Sequence, residues 1–187
     1  VVHNTANDAS AKNEVAYMIN NNNKVSFHYA IDDKEIVQGI PENRNAWHAG
    51  DGNGQGNRKG IGIEICYSKS GGKRFEEAEK LAAKFIAYKL NEKSWGIDKV
   101  KKHQDFSGKY CPHRTLDMGW QRFLNMVQAE LNKLKEEDKV NRDKPSSWAK
   151  EAWEWAKKAG ITDGSRPKDN ATREEIITMI YRAKKVK

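Results

Sequence analysis

The segment Lys102-His103-Gln104-Asp105-Phe106-Ser107-Gly108-Lys109-Tyr110-Cys111-Pro112-His113 sets an imidazole and a thiol eight residues apart across a glycine-containing turn. One hundred residues upstream, His3 stands in Val1-Val2-His3-Asn4-Thr5-Ala6. Two imidazoles and one thiolate are a donor set that Zn²⁺ accepts, with a fourth tetrahedral position left open for water. A centre of that kind lowers the pKa of bound water to about 7 and polarises a carbonyl, so the expected chemistry is hydrolysis. Either histidine alone is more often a hydrogen-bonded structural residue or a surface group. The inference rests on the combination, in a loop otherwise poor in core residues.

These side chains need elements to hold them. Residues 9–20 read as a helix after an Asn7-Asp8 cap region, with Val15, Ala16, Met18 and Ile19 on its apolar side. Val25-Ser26-Phe27-His28-Tyr29-Ala30-Ile31 alternates as a strand, followed by an Asp32-Asp33-Lys34 turn and a paired strand over residues 35–38. Trp47-His48-Ala49 reads as another short strand, leading into the glycine-rich stretch 50–56. That stretch lacks the Gly-Lys-Ser/Thr ending of a phosphate cradle, so a mobile loop at the mouth of a site is expected instead. Residues 60–67 form the clearest strand, with Ile61, Ile63 and Ile65 on one face and Gly62, Glu64 and Cys66 on the other. Amphipathic helices are expected over 74–91 and 116–136. Strands mixed with helices imply an α/β fold, a central β-sheet flanked by helices.

A highly charged run ending at Pro145 follows, and it reads as a linker over 137–146 between a domain over 1–136 and a small α-helical hairpin domain over 147–187. The hairpin's first helix carries Trp148, Trp155 and Ala156 and stops at Gly160; the second opens on a capping box, Thr172-Arg173-Glu174-Glu175. No apolar run approaches the roughly 20 residues that cross a bilayer, so membrane insertion is not expected. The opening residues read as the interior of a strand, so a few residues upstream are expected, and no cleaved leader is visible. The net charge of +8 is spread along the chain and favours anionic polymers. Nucleic acid is disfavoured among these, because no recognition helix, aromatic RNA-binding strand or zinc-finger spacing occurs. Of the two cysteines, Cys66 reads as a buried inert thiol in a strand and Cys111 as a thiolate ligand, which argues against a disulfide between them.

The chain resembles the zinc-dependent N-acetylmuramoyl-L-alanine amidases of the phage-lysozyme and peptidoglycan-recognition type. The residues that carry the resemblance are Val2-His3-Asn4-Thr5-Ala6, Ser26-Phe27-His28-Tyr29, Trp47-His48-Ala49-Gly50, Gly62-Ile63-Glu64-Ile65, His103-Gln104-Asp105 and Lys109-Tyr110-Cys111-Pro112, in order over about residues 1–135. The resemblance implies a central mixed sheet flanked by helices and zinc ligation by His3, His103 and Cys111. It implies a proton-transfer role for Glu64, on a strand face otherwise lined by small residues, and an oxyanion-stabilising role for Lys109. Trp47, His48 and His28 are then candidate substrate contacts, with His28 and His48 alternatively packing behind the ligands. Some members carry a catalytic tyrosine where this chain has Phe27, so that role is vacant here or falls to Glu64. Tyr29 is expected on the same strand face as Phe27.

The hairpin resembles a single S-layer-homology-type repeat, which implies docking to a secondary cell-wall polymer; self-association into a homodimer through the tryptophan face is a further expectation. The function expected is bacteriolytic cleavage of peptidoglycan by an endolysin or autolysin, made in the bacterial cytoplasm and acting at the cell wall. The rival is a non-catalytic peptidoglycan-binding module. Retention of Cys111 favours the enzyme.

Overall fold

The computed structural model describes residues 1–186. It divides into two compact units, Val1–Asn132 and Lys133–Lys187. The first is built on a four-stranded mixed sheet of β1 (Val2–Asn4), β2 (Tyr29–Ile31), β3 (Ile36–Gln38) and β4 (Ile63–Ile65), in the order β1-β4-β2-β3. β4 runs parallel to both β1 and β2, and β3 closes the far edge as an antiparallel hairpin with β2. The hairpin turn forms where expected: Asp32 accepts from the backbone N–H groups of Lys34 and Glu35. Its other carboxylate oxygen takes the N–H of Ala11 and ties the start of α1 (Ala11–Asn20) to the sheet.

Burying the sheet requires one long amphipathic helix. α3 (Gly72–Glu92) supplies it, with Phe75, Ala78, Ala82, Ala83, Ile86, Ala87 and Leu90 buried. The small side chains among these let helix and sheet approach closely. α1 starts two residues later than its sequence pattern suggested, because the Ser10 hydroxyl accepts from Asn13 N–H and sets the cap there. Between the strands, α2 is a short turn of helix (Gln55–Lys59), and α4 (Gln104–Ser107) occupies the loop that joins His103 to Cys111.

Several expectations need correction. Residues 25–28 are not strand: the N–H groups of His28 and Tyr29 both converge on the Gly62 carbonyl, as in a bulge. That local slip reverses side-chain parity. Phe27 lines a cleft while Tyr29 packs edge-on against Phe85 of α3 and donates to Glu42, so the two do not share a face. Trp47-His48-Ala49 is an irregular segment, because the His48 and Ala49 N–H groups bond to the Asn57 side chain and not to a strand. The glycine-rich loop is anchored, since Asp51 accepts from Gly56 and Asn57 N–H and caps α2.

The single helix expected over 116–136 is two, α5 (His113–Asp117) and α6 (Trp120–Arg142). They part at Gly119, whose φ of +104° lies where a side chain is rarely tolerated. α6 also continues through much of the segment expected to be a linker, as far as Arg142. The run Lys135-Glu136-Glu137-Asp138-Lys139 is rich in good helix formers, and its charge does not prevent that.

The second unit contains α7 (Lys150–Lys158) and α8 (Arg173–Ala183). The Thr172–Glu175 capping box forms in both directions. Trp148, Trp155, Ile177, Ile180 and Tyr181 are exposed. Among the described residues no helix is long and apolar enough to cross a membrane.

Candidate metal centre

Sheet register brings the first two chemical groups together. β1 pairs with β4 so that His3 stands beside Glu64, and side chains at paired positions of neighbouring strands, ~4.8 Å apart, leave the sheet on the same face. On its other side Glu64 is paired with Ala30, a small residue that leaves room above it. His103 arrives by extending the same sheet edge: Val2 N–H donates to Lys101 O at 2.8 Å and His103 N–H to Val2 O at 3.2 Å. The chain then turns through α4 and Gly108, and Gln104 N–H donates to Cys111 O at 3.0 Å, closing the loop. Asn4 fixes the far side, its Oδ1 accepting from the N–H groups of Arg114 and Thr115 at the start of α5.

The outcome is a convergence of three buried donors. His3 Nδ1 lies 3.0 Å from His103 Nδ1 and 4.0 Å from Cys111 Sγ, and one ligand atom from each of the three residues falls within 4.8 Å of the others. Tetrahedral zinc with ordinary bond lengths would separate its nitrogens by about 3.3 Å and nitrogen from sulfur by about 3.6 Å. The three side chains therefore fit the ion in both chemistry and spacing. Burial, before any neighbouring charge, pushes the pKa of His3 well down and that of His103 down, so both imidazoles are neutral and able to ligate. Burial likewise holds the Cys111 thiol up at about 11, against hydrogen bonds from the Asn4 and His113 backbone N–H groups and the field of Lys109. Those N–H groups and Lys109 all favour the thiolate that a cation would demand. Cys66 is a buried free thiol whose pKa burial pushes up, and it takes no part.

The centre lies on a cleft of about 820 Å³ lined, among others, by Glu64, Lys109, Trp47, His48, Phe27 and Glu14. Glu64 Oε2 is buried with no hydrogen-bond partner among the described residues, as is Thr5 Oγ1, another cleft residue. Burial and, after it, the negative charge of Glu14 raise the Glu64 pKa to about 8, while Lys109 pulls it down. Lys109 is exposed at the rim and Trp47 is about half exposed.

His48 is buried behind His3 and bonded to it. His28 does not line the cleft. It is buried, its Nδ1 accepts from Gly62 N–H and its Nε2 donates to the Arg44 carbonyl, so both nitrogens are engaged and it braces the segment that enters β4.

Comparison with known proteins identifies the family. Residues 1–114 match the family described as Amidase_2, N-acetylmuramoyl-L-alanine amidase. The chain belongs to that family. It is 52% identical over 189 residues to the amidase CwlA of Bacillus subtilis, covering 97% of this chain and 68% of that protein. It is 62% identical over 133 residues to B. subtilis XlyB, covering 70% of this chain and 42% of XlyB. Among solved structures, PlyL is 56% identical with a TM-score of 0.66, covering 68% of this chain and 80% of that one. The amidase fold of these relatives is thus the mixed sheet with flanking helices described above.

Glu14 is the cleft residue that sequence reasoning missed. Its place in the first turn of α1 reads as a helix-dipole partner, and only packing reveals it as a buried carboxylate within electrostatic reach of Glu64. The consequence is measurable. If Glu64 must be ionised to accept a proton, activity falls as pH drops through its pKa. Glu14→Gln removes a neighbouring negative charge, lowers that pKa and moves the acid limb of the kcat/KM profile to lower pH. An unmoved limb, or one moved to higher pH, would exclude the coupling.

Proposed function

We propose that the chain hydrolyses the amide joining the lactyl group of N-acetylmuramic acid to L-alanine in peptidoglycan, with zinc held by His3, His103 and Cys111. The observation that carries this reading is the meeting of those three donors beside a carboxylate with a free buried oxygen, on the wall of an open cleft. The named activities of CwlA and XlyB support it. When bound, zinc supplies a Lewis acid and makes a nearby water more acidic.

The chain's own groups do the remainder. Glu64 holds the attacking water through its unengaged oxygen, takes a proton from it, and returns that proton to the departing alanine nitrogen. Its burial keeps it a strong enough base for the first transfer and, once protonated, a competent acid for the second. Lys109, at the cleft rim, places a positive charge toward the oxyanion that develops on the carbonyl. Phe27 lines the cleft but bears no hydroxyl, which leaves Glu64 as the proton carrier. Trp47, half exposed on the cleft, offers an aromatic face for a sugar ring. Such an enzyme acts at the bacterial cell wall in the manner of an endolysin or autolysin.

Mass spectrometry of digested peptidoglycan tests the bond assignment. New free L-alanine amino termini, without new reducing sugars, are expected. Binding without any cleavage would instead support the non-catalytic module, and new reducing ends would point to a glycosidase.

A further inference from the structure

His48 borders the cleft, but only 6% of it is exposed and both of its ring nitrogens are engaged. The proton positions along this contact follow from one end. The Gly60 carbonyl can only accept, and it lies 3.3 Å from His48 Nε2, so that nitrogen carries hydrogen. No carboxylate is bonded to the ring among the described residues, so the imidazole is neutral and its Nδ1 is a lone pair. His3 Nε2 lies 2.9 Å from that lone pair and must donate to it. A neutral His3 with hydrogen on Nε2 keeps its own lone pair on Nδ1. That is the nitrogen lying 3.0 Å from His103 Nδ1 and 4.0 Å from Cys111 Sγ.

We propose that His48 is a positioning residue: by accepting from His3 Nε2–H it fixes the tautomer and ring orientation that present His3 Nδ1 to the metal.

The surroundings are built for this. The His48 backbone N–H donates to Asn57 Oδ1 at 2.8 Å, beside the same bond from Ala49 at 2.7 Å. Asn57 is held in turn by Gly52 O and Asp51. The glycine-rich loop thereby becomes the mount for His48. On the opposite side the ring lies flush against β4's entry segment. A Cβ on Gly62 would come within 2.8 Å of His48 Cγ and Cδ2, so only glycine leaves the ring its place. Gly60 and Gly62 thus act together, one as hydrogen-bond acceptor and the other as the gap the ring fills. His28, bonded to Gly62 N–H from behind, steadies the same segment. A substrate contact would need none of this, whereas a partner that must orient a ligand needs all of it.

The inference rests on the zinc reading given above, so its test has one arm that needs no metal. In the metal-free full chain, side-chain ¹⁵N NMR should show His3 and His48 both as Nε2–H tautomers. His3 protonated on Nδ1 would overturn the proposal. In the second arm, zinc affinity is measured by chelator competition for wild type, His48→Leu and His48→Asn.

Leucine keeps much of the volume but has no acceptor, and affinity should fall by ~10–100-fold. Asparagine places Oδ1 near the position of the imidazole Nδ1 and should recover most of that loss. Gly62→Ala, which changes no polar atom, should weaken zinc in the direction of the leucine variant. Equal affinity for wild type and His48→Leu, or equal losses in the leucine and asparagine variants, would remove His48 from this role. A wild-type chain that binds no zinc would overturn the metal assignment, and the metal-free NMR measurement would still decide the tautomer.

Discussion

Glu64→Gln should lower kcat on peptidoglycan by ~10²–10⁴-fold, the span that a positioned general acid–base supplies, while zinc content stays at that of wild type. Glutamine reproduces the shape of the side chain and its buried contacts but cannot accept a proton. Glu64 is outside the three-donor cluster, so its replacement leaves the ligand set complete. The split between intact metal and lost turnover distinguishes a proton carrier from a ligand. A variant with nearly full activity would show that the orphaned oxygen and the pKa raised to about 8 serve something other than proton transfer. A variant that lost zinc would place Glu64 among the ligands.

Cys111→Ser should have the other large effect, and of the opposite kind. In the proposed centre the Cys111 thiolate is one of three donors and the only soft one. Its loss should weaken zinc by more than the ~100-fold that removal of an outer hydrogen bond costs, and activity should fall to background at submicromolar zinc. The fold should survive. Cys111 is buried but small, and its loop is independently tied by the Gln104–Cys111 backbone bond and by Asn4 at the start of α5. Zinc content by elemental analysis, with circular dichroism as the check on folding, measures both. Stoichiometric zinc in the serine variant would mean that sulfur is not a ligand.

The two effects differ because sheet register and loop closure divide the labour. β1 and β4 set His3 beside Glu64, and a single loop hung on the edge of β1 carries both remaining donors.

Much of this site is legible in the sequence. The donor types, their order and the resemblance to a known family pointed to His3, His103 and Cys111, and the alternation Gly62-Glu64-Cys66 placed the carboxylate on a face with room above it. The long periodic helix α3 and the capping box of α8 were equally plain, because local pattern decides them. What the sequence hid depends on tertiary contact. The parity slip between Phe27 and Tyr29 arises because two N–H groups share the Gly62 carbonyl, a feature with no local signature.

The break between α5 and α6 turns on the left-handed backbone of Gly119, within a pattern that otherwise reads as continuous helix. The charged run that ends at Pro145 reads as a linker, although its residues favour helix and α6 extends through it to Arg142. Glu14 and His48 owe their positions to packing across the sheet and to the Asn57 and Gly62 contacts, none of which spacing alone conveys.

The most direct test of the metal centre is X-ray absorption at the zinc K edge of the purified, zinc-loaded full chain. Nitrogen donors at ~2.0–2.1 Å and a single sulfur at ~2.3 Å, at one zinc per chain, are expected for His3, His103 and Cys111. A coordination shell of nitrogen and oxygen with no sulfur, or zinc well below one per chain, would contradict it.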